Sequence, residues 1–317
     1  MAHEDRFPVP GIYSFEQVHQ QAVSFVSEKG KLRTAVIAPS ASDSLEAVVK
    51  ATETGLIDPH LIGDRGATRK CAELARLNTS SVRFTDVADT EAAIQAAVKM
   101  AVDGEVDVLV KGQVAAISLL KHLLARSESF VSFGRTLSHL AVMKPELYGK
   151  LLFLTDAAVN AQPDLKTKLA LIANAVRMAN VLGIDRPKVA VLAAVEIIAP
   201  WMPVTMDAAI IAKMADRGQI EGACVDGPLS FDVAVDAAAA RSKGITESAV
   251  AGQADIVLAP NIETANGVYR AMNLYGRATM GAIVVGGAVP VVISSRSDSV
   301  QTRFNSLVLG IMATLAR

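Results

Sequence analysis

The segment from residue 290 to residue 299, PVVISSRSDS, gathers the densest set of anion-binding groups in the chain. It lies between an apolar run and the helical pattern that closes the chain. Ser299 or Asp298 can cap that helix, whose free N–H groups and positive dipole end attract anions. Together with the Ser295 hydroxyl and the Arg296 guanidinium, this junction is predicted to bind a phosphate group.

Polar residues that follow other apolar runs are further candidates, because ligands of open α/β sheets bind outside the carboxyl ends of the strands. Lys111 and Gly112 follow one run, where lysine can bind an anion and glycine lets the backbone approach closely. Thr155 and Asp156 follow a second run, and Asn261 follows a third. A solvated lysine, a helix cap and a turn are the structural alternatives at these positions.

Two more segments combine charge with turn-forming residues. Arg135 follows Ser132–Gly134 and can present its planar fork to phosphate, although a surface arginine in a turn fits equally well. The segment Asp226–Asp232 (DGPLSFD) follows a predicted strand over Glu221–Val225. We expect a turn at its Gly-Pro pair, and we expect Asp232 to begin the next helix.

Composition and motifs exclude several classes of function. The net charge is -1 and aromatic residues make up 4% of the chain, which argues against nucleic-acid partners and a charged membrane surface. The chain has no GxxxxGK[ST], GxGxxG or GxSxG motif, so nucleotide hydrolysis, dinucleotide binding and a hydrolase nucleophile elbow are not supported. The five histidines show no metal-binding spacing.

The two cysteines, Cys71 and Cys224, lie far apart in the chain. They form neither a CxxC pair nor a cluster with histidine, so we expect reduced thiols rather than a disulfide or a zinc site. No apolar stretch reaches the roughly 20 residues that cross a bilayer, and the N-terminus lacks the apolar segment of a signal peptide. A soluble cytoplasmic protein is expected.

Short apolar runs alternate with longer amphipathic segments along most of the chain. Thr34–Ala38 predicts a buried strand, and Ser42–Glu53 predicts a helix that buries Leu45 and Val48. This alternation predicts an α/β fold with mostly parallel sheets covered by helices. The middle of the chain differs, because Thr136–Val142 and Lys150–Leu154 predict two antiparallel strands that suit the start of a second domain.

Several segments, in order and spacing, resemble the phosphate acetyltransferase/phosphate butyryltransferase family, closer to its butyryltransferase branch. They are Leu61–Asp64 (LIGD), Val110–Gly112 (VKG), Asp226–Ala234 (DGPLSFDVA), Lys243–Ile245 (KGI), Ala254–Arg270 (ADIVLAPNIETANGVYR) and Gly281–Ser299 (GAIVVGGAVPVVISSRSDS).

The resemblance implies a two-domain fold of the isocitrate and isopropylmalate dehydrogenase type, with a cleft between the domains. On that basis we expect a discontinuous domain over residues 1–135 and 290–317 and a second domain over residues 136–289. The implied reaction is the reversible conversion of acyl-CoA and inorganic phosphate into acyl phosphate and CoA. It implies no metal, no other cofactor and no covalent intermediate, and it implies a homodimer or a larger homo-oligomer.

The resemblance also implies roles for individual residues. Ser295 and Arg296 match the family's Ser-Arg pair, so Ser295 is expected to donate to the oxyanion and Arg296 to bind phosphate and the acyl oxygen. Acetyltransferases of the family place an aspartate base at the position of Thr302. Asp298 is therefore the candidate base, with capping of the closing helix as its alternative role. The expected substrate-binding residues are Lys111, Gly112, Lys121 (with His122 as its competitor), Arg135, Thr155 and Asn261.

Other functions stay open at this point. A non-catalytic acyl-CoA-binding protein would fit the missing aspartate at Thr302, whereas the retained Ser295 and Arg296 favour an enzyme. An acyl-ACP:phosphate acyltransferase would need a basic docking surface, which the neutral net charge does not favour. A related dehydrogenase would need a cluster of aspartates for a divalent metal, and the sequence shows none.

Overall fold

The structure is a computed structural model that describes residues 12–78, 82–131, 135–295 and 297–316, with the backbone alone described at residues 127 and 128. It separates into two compact units. The terminal unit combines Glu16–Leu137 with the described residues from Gly281 onward. The central unit combines Ser138–Met280 with the described residues up to Phe15. The expected domain boundaries, at residues 135/136 and 289/290, stay a prediction.

The strands of the described residues, in chain order, are β1 (Leu32–Ile37), β2 (Ile57–Gly63), β3 (Arg83–Asp86), β4 (Val108–Lys111), β5 (Ser138–Lys144), β6 (Leu152–Thr155), β7 (Lys188–Leu192), β8 (Cys224–Leu229), β9 (Ile256–Leu258), β10 (Thr279–Val285) and β11 (Val291–Val292).

The helices of the described residues are α1 (Phe15–Lys29), α2 (Ser42–Glu53), α3 (Arg65–Leu74), α4 (Thr90–Val102), α5 (Ala116–Ala125), α6 (Ser127–Phe130), α7 (Leu165–Val181), α8 (Pro203–Asp216), α9 (Phe231–Val235), α10 (Ala237–Ser242), α11 (Ile262–Leu274) and α12 (Val300–Ala313), followed by a 3-10 turn over Thr314–Ala316.

Each unit contains a mostly parallel sheet, and the predicted α/β class is confirmed. In the terminal unit the strand order is β3-β2-β1-β4-β11-β10, and only the β10–β11 pair is antiparallel among the described pairings. In the central unit the order is β5-β6-β9-β7-β8, where β5 and β6 form the predicted antiparallel pair and the other described pairings are parallel.

The buried strands and the capped helices follow from local sequence. All four residues of β4 are buried, and β1 buries five of its six residues, as expected of strands covered on both faces. In α2 the predicted apolar residues Leu45 and Val48 are buried. Side-chain caps begin several helices, including Asp164 before α7 and Ser299 before α12, because these oxygens accept from otherwise unpaired N–H groups. No described helix has the length and apolar character needed to span a membrane.

The prediction for the DGPLSFD segment is wrong both for the turn at Gly-Pro and for Asp232 as the residue that begins the helix. Gly227 and Pro228 do not form a turn after a strand, because β8 itself runs through both of them. In the described sheet β8 pairs only with β7, so the missing N–H of proline interrupts no second ladder. The cap of α9 is Ser230, which places Asp232 in the first turn of that helix.

Gly227 permits the close contact between β8 and its neighbours. A Cβ atom built at this position would lie 2.7 Å from the carbonyl oxygen of Val191 and 3.3 Å from the Cβ of Ala208. We predict that Gly227→Ala lowers the free energy of unfolding by about 1–3 kcal/mol, as overpacking of a closed interior does. Thermal unfolding followed by circular dichroism measures this loss.

Gly267→Ala is the matched control for that substitution. Gly267 lies within α11, and no atom of the described residues would come within 4 Å of its added Cβ. Alanine favours a helix interior over glycine by about 0.5–1 kcal/mol, so this variant is expected to melt no lower than the unsubstituted protein. Equal melting temperatures for the two variants would contradict the packing argument.

Candidate functional site

Two neighbouring strands of the terminal unit, β4 and β11, end side by side. Their parallel register pairs Val110 with Val292, so Lys111 and Ser294 lie at the same edge of the sheet. On its other side β4 pairs with β1, which α2 follows. The carboxyl ends of β1, β4 and β11 therefore meet where open α/β sheets bind ligands.

The Lys111 side chain is directed inward rather than into solvent. Its Nζ donates to the carbonyl oxygens of Gly112 at 3.1 Å and Val114 at 3.2 Å, and the residue is buried. It lines a cavity of about 10 Å³ together with Ser294 and Arg303. That volume is close to the space of one water molecule.

Gly112 is needed for packing between strands. Its N–H donates to the Ile37 carbonyl at 2.8 Å, and an added Cβ would collide with the carbonyl oxygens of Ile37 and Ala38. The backbone of Gly112 thus lies close to the end of β1, which is the close approach that we expected this glycine to permit. Substrate binding by Lys111 and Gly112 stays a prediction.

The described residues Ser295, Ser297 and Asp298, which follow β11, are joined by hydrogen bonds into a closed turn. The Ser295 N–H donates to Asp298 Oδ2 at 2.7 Å, and the Asp298 N–H donates back to the Ser295 carbonyl at 3.2 Å. Ser295 Oγ lies 3.1 Å from the Ser297 Oγ at the exposed side of the turn. Ser299, not Asp298, caps α12, because its Oγ accepts from the Thr302 N–H at 3.1 Å.

Asp298 has one engaged and one unengaged carboxylate oxygen. The residue is 4% exposed. Oδ2 holds the turn, whereas Oδ1 is buried without a hydrogen-bond partner among the described residues. A buried polar atom without a partner is uncommon in folded proteins and marks a position of interest. Oδ1 is therefore the atom of this turn that could accept a hydrogen bond from a group outside the described residues.

Arg303 in α12, which the sequence analysis missed, donates hydrogen bonds to the backbone of this turn. The residue is 7% exposed. Its Nε donates to the Asp298 carbonyl at 3.2 Å, and one terminal nitrogen donates to the Ser295 carbonyl at 2.8 Å. The other donates to Ser44 Oγ in α2 at 3.0 Å. The sequence signal was a single arginine within the closing helix, ahead of its long apolar run.

In the central unit, the predicted residues Thr155 and Asn261 lie at or just beyond the ends of two adjacent parallel strands, β6 and β9. Thr155 ends β6, and its carbonyl accepts from the Ala259 N–H at 2.9 Å, just beyond β9. Its hydroxyl is fully buried and has no hydrogen-bond partner within the described part of the chain. Asn261 caps α11, with Oδ1 accepting from the Thr264 N–H at 2.9 Å.

Asp156, beside Thr155, is an anchor for the loop that follows β6. One carboxylate oxygen accepts from the N–H groups of Ala158 and Val159, both at 2.9 Å. The other accepts from the His139 N–H at 3.1 Å and the Asn160 amide at 2.6 Å. Four donors occupy this carboxylate, so its role is to fix the loop.

The remaining predicted residues are Lys121, Arg135 and Arg296. Lys121 is exposed on α5, and its competitor His122 lies with Nε2 3.2 Å from a carboxylate oxygen of Glu91. Arg135 is half-buried in the segment that precedes β5. Arg296 lies outside the described residues, so its predicted role is untouched by the geometry. Within the described ranges, no group of three or more His, Cys, Asp or Glu side chains suits a metal ion.

The DGPLSFD and KGI segments meet in a charged cluster at the ends of β7 and β8. Ser230 Oγ donates to Glu196 and to Asp232, and Lys243 Nζ donates to Ser230 Oγ at 2.8 Å. Lys243 also pairs with Glu196 at 3.1 Å and with Asp232 at 3.3 Å. The spacing of the two segments in the sequence therefore reflects one shared cluster.

The cluster keeps its lysine charged. Its hydrogen bond to Glu196 is the main cause that raises the pKa of Lys243. Burial acts to raise the pKa of Glu196, but its hydrogen bonds from Ser230 and Lys243 outweigh burial and lower that pKa. The hydrogen bond from Ser230 is the main cause that lowers the pKa of Asp232. A charged lysine between two carboxylates cannot act as a base, so the cluster serves to join the two loops.

Comparisons with known proteins identify the family of this chain. The sequence model of the family described as "Phosphate acetyl/butaryl transferase" matches residues 90–311. The chain belongs to the phosphate acetyl/butyryl transferase family. It is 39% identical over 289 residues to the phosphate butyryltransferase of Clostridium beijerinckii, which covers 91% of this chain and 95% of that protein. Over 290 residues it is 37% identical to the phosphate acetyltransferase of Thermotoga maritima, covering 92% and 97%.

A solved structure extends the likeness to the fold. The crystal structure of a branched-chain phosphotransacylase from Enterococcus faecalis V583 superposes with a TM-score of 0.76 at 31% identity, covering 89% of this chain and 99% of that one. Membership of this transferase family confirms the resemblance found in the sequence, and the chain is an acyltransferase by that membership.

The charged cluster predicts a pH-dependent contribution to stability. The lowered pKa values of Glu196 and Asp232 mean that their stabilising effect is present above their unfolded pKa values, near 4, and is lost as pH falls through the folded values. Lys243→Gln is expected to lower the melting temperature at pH 7 by on the order of 2 °C, with the difference shrinking below pH 4. Lys213→Gln, which removes an exposed pair with Asp216 within α8, is the matched control and should change less. A loss that persists undiminished at pH 3 would contradict the electrostatic explanation.

Proposed function

We propose that this protein transfers a short acyl group, acetyl to butyryl, reversibly between CoA and inorganic phosphate by direct attack in a ternary complex. The observation that carries the proposal is the closed turn after β11, with Ser295 at its exposed side, in a chain of the phosphate acetyl/butyryl transferase family. The named relatives are a phosphate butyryltransferase and a phosphate acetyltransferase. We further propose a cytoplasmic homodimer or larger homo-oligomer without a cofactor.

The chemistry needs positioning more than it needs a protein nucleophile. A phosphate oxygen attacks the thioester carbonyl carbon, the C–O bond forms, and a tetrahedral oxyanion results. The C–S bond then breaks, and the sulfur leaves with the electron pair and takes up the proton that the attacking hydrogen phosphate has given up. Holding both substrates in line replaces a bimolecular encounter and can supply about 7–11 kcal/mol of the barrier. Donors aimed at the oxyanion supply a further share.

In this proposal the Ser295 hydroxyl donates a hydrogen bond to the oxyanion, and Arg296 binds phosphate and the acyl oxygen. The exposed position of Ser295 Oγ supports its part. Asp298 Oδ1 accepts the thiol proton in the direction from acyl phosphate to CoA, which its lack of a partner among the described residues supports. Thr155, whose buried hydroxyl also has no hydrogen-bond partner among the described residues, would contact substrate. The other residues expected to contact substrate are Asn261, Lys111, Gly112, Lys121 and Arg135.

The activity is tested by CoA release. Purified protein is incubated with phosphate and acetyl-, propionyl- or butyryl-CoA, and the free thiol is measured. We expect turnover with at least one acyl-CoA, no turnover without phosphate, and loss of turnover by orders of magnitude in Arg296→Ala at an unchanged melting temperature. Release with none of the three would instead favour a non-catalytic acyl-CoA-binding protein.

Asp298→Asn tests the proposed base. Asparagine keeps an oxygen that can accept the Ser295 N–H, so the turn is retained while the proton acceptor is lost. We expect the rate from acyl phosphate and CoA to fall by about 10²–10⁴-fold at pH 7. Because a free thiol ionises near pH 8.5, the deficit should shrink as the pH approaches that value. Turnover equal to that of the unsubstituted protein, or a deficit independent of pH, would remove the base role from Asp298.

A further inference from the structure

Arg303 is a buried arginine whose N–H groups donate hydrogen bonds to the closed turn after β11. It lies in the first turns of α12, where most of the following residues are buried and apolar. Its side chain donates to two carbonyls of the turn, at Ser295 and Asp298, and to the hydroxyl of Ser44 in α2. Hydrogen bonds from a charged donor are shorter and stronger than neutral ones, so this contact strongly orders its acceptors.

The guanidinium joins elements that follow different strands. Ser44 belongs to the helix after β1, and the turn follows β11, with β4 lying between these two strands in the sheet. Ser44 is itself 4% exposed, so both ends of the contact are held in the interior. The turn is therefore fixed relative to the neighbouring strand ends as well as within itself.

The described contacts of Arg303 are made within the protein. The cavity that it lines with Lys111 and Ser44 measures about 10 Å³, roughly the space of one water molecule. Its three described contacts go to protein oxygens. We therefore expect this residue to affect acyl transfer through the protein segments that it orders, the turn among them.

We propose that Arg303 is a positioning residue that holds Ser295 where its hydroxyl meets the developing oxyanion. The role rests on the proposed acyl transfer. Because the oxyanion forms only along the reaction, misplacing Ser295 should lower kcat and leave the KM values for phosphate and acyl-CoA nearly unchanged. A displacement of about 1 Å can cost on the order of 10²-fold in rate.

Arg303→Lys is the central variant, because lysine keeps the charge but cannot reach three acceptors with a planar fork. We expect kcat to fall by about 10–100-fold, with both KM values within about 3-fold of those of the unsubstituted protein. Ser44→Ala removes only the contact to α2 and should give a smaller loss of kcat. Arg33→Ala, which removes an exposed arginine paired with Asp107 in the same unit, is the matched control and should leave kcat unchanged.

Chemical rescue separates positioning from general stability. In Arg303→Ala, added guanidinium ion at concentrations below those that unfold the protein should restore part of kcat, whereas equimolar urea should not. A kcat that stays at the unsubstituted level in Arg303→Lys would overturn the proposal. So would a loss that follows the melting temperature alone and is not rescued by guanidinium.

Hydrogen exchange tests the same inference without turnover. Mass spectrometry of the peptide that covers residues 293–300 should show faster amide exchange in Arg303→Lys than in the unsubstituted protein. The reason is that the substitution should weaken the hydrogen bond from the Ser295 N–H to Asp298 Oδ2. If the unsubstituted protein turns over no acyl-CoA, the proposed function fails and this measurement alone decides whether Arg303 orders the turn. Unchanged exchange in that peptide would overturn the positioning role.

Discussion

The parallel pairing of β11 with β4 is the constraint on which the proposed site depends. β10 runs antiparallel to β11, so the chain must reverse over residues 286–290 before it can run alongside β4. That reversal delivers Ser294 and the following turn to the carboxyl edge of the sheet, next to Lys111. With an antiparallel strand at this place, the turn would lie at the opposite edge, away from β1, β4 and α2.

The polar groups beneath this edge are arranged for rigidity. Lys111, Asp298 and Arg303 are all buried, and burial of a charge is costly unless hydrogen bonds replace those of water. The described bonds of the two cations go largely to backbone carbonyls, which orders short loop segments rather than forming a ligand cage. Such an arrangement suits the proposed direct acyl transfer, in which holding two substrates in line lowers the barrier.

The central unit uses carboxylates in a similar way. Asp156 fixes the loop after β6 through four donors, and the cluster of Glu196, Ser230, Asp232 and Lys243 joins the loops after β7 and β8. The segments DGPLSFD and KGI supply three of the four side chains of that cluster. Thr155 differs, because its buried hydroxyl has no hydrogen-bond partner in the described residues. Both carboxylate oxygens of the adjacent Asp156, in contrast, accept hydrogen bonds.

The sequence by itself determined the α/β class, the antiparallel pair in the middle of the chain, the capped closing helix and the family, because these depend on local periodicity and on ordered motifs. It placed Ser295 and Asp298 in one junction correctly for the same reason. Only the tertiary structure decided that Arg303 reaches Ser44, 259 residues away, and that Lys111 points inward. It also decided that Gly227 and Pro228 continue an edge strand. These features depend on which strands become neighbours, and no local pattern encodes that choice.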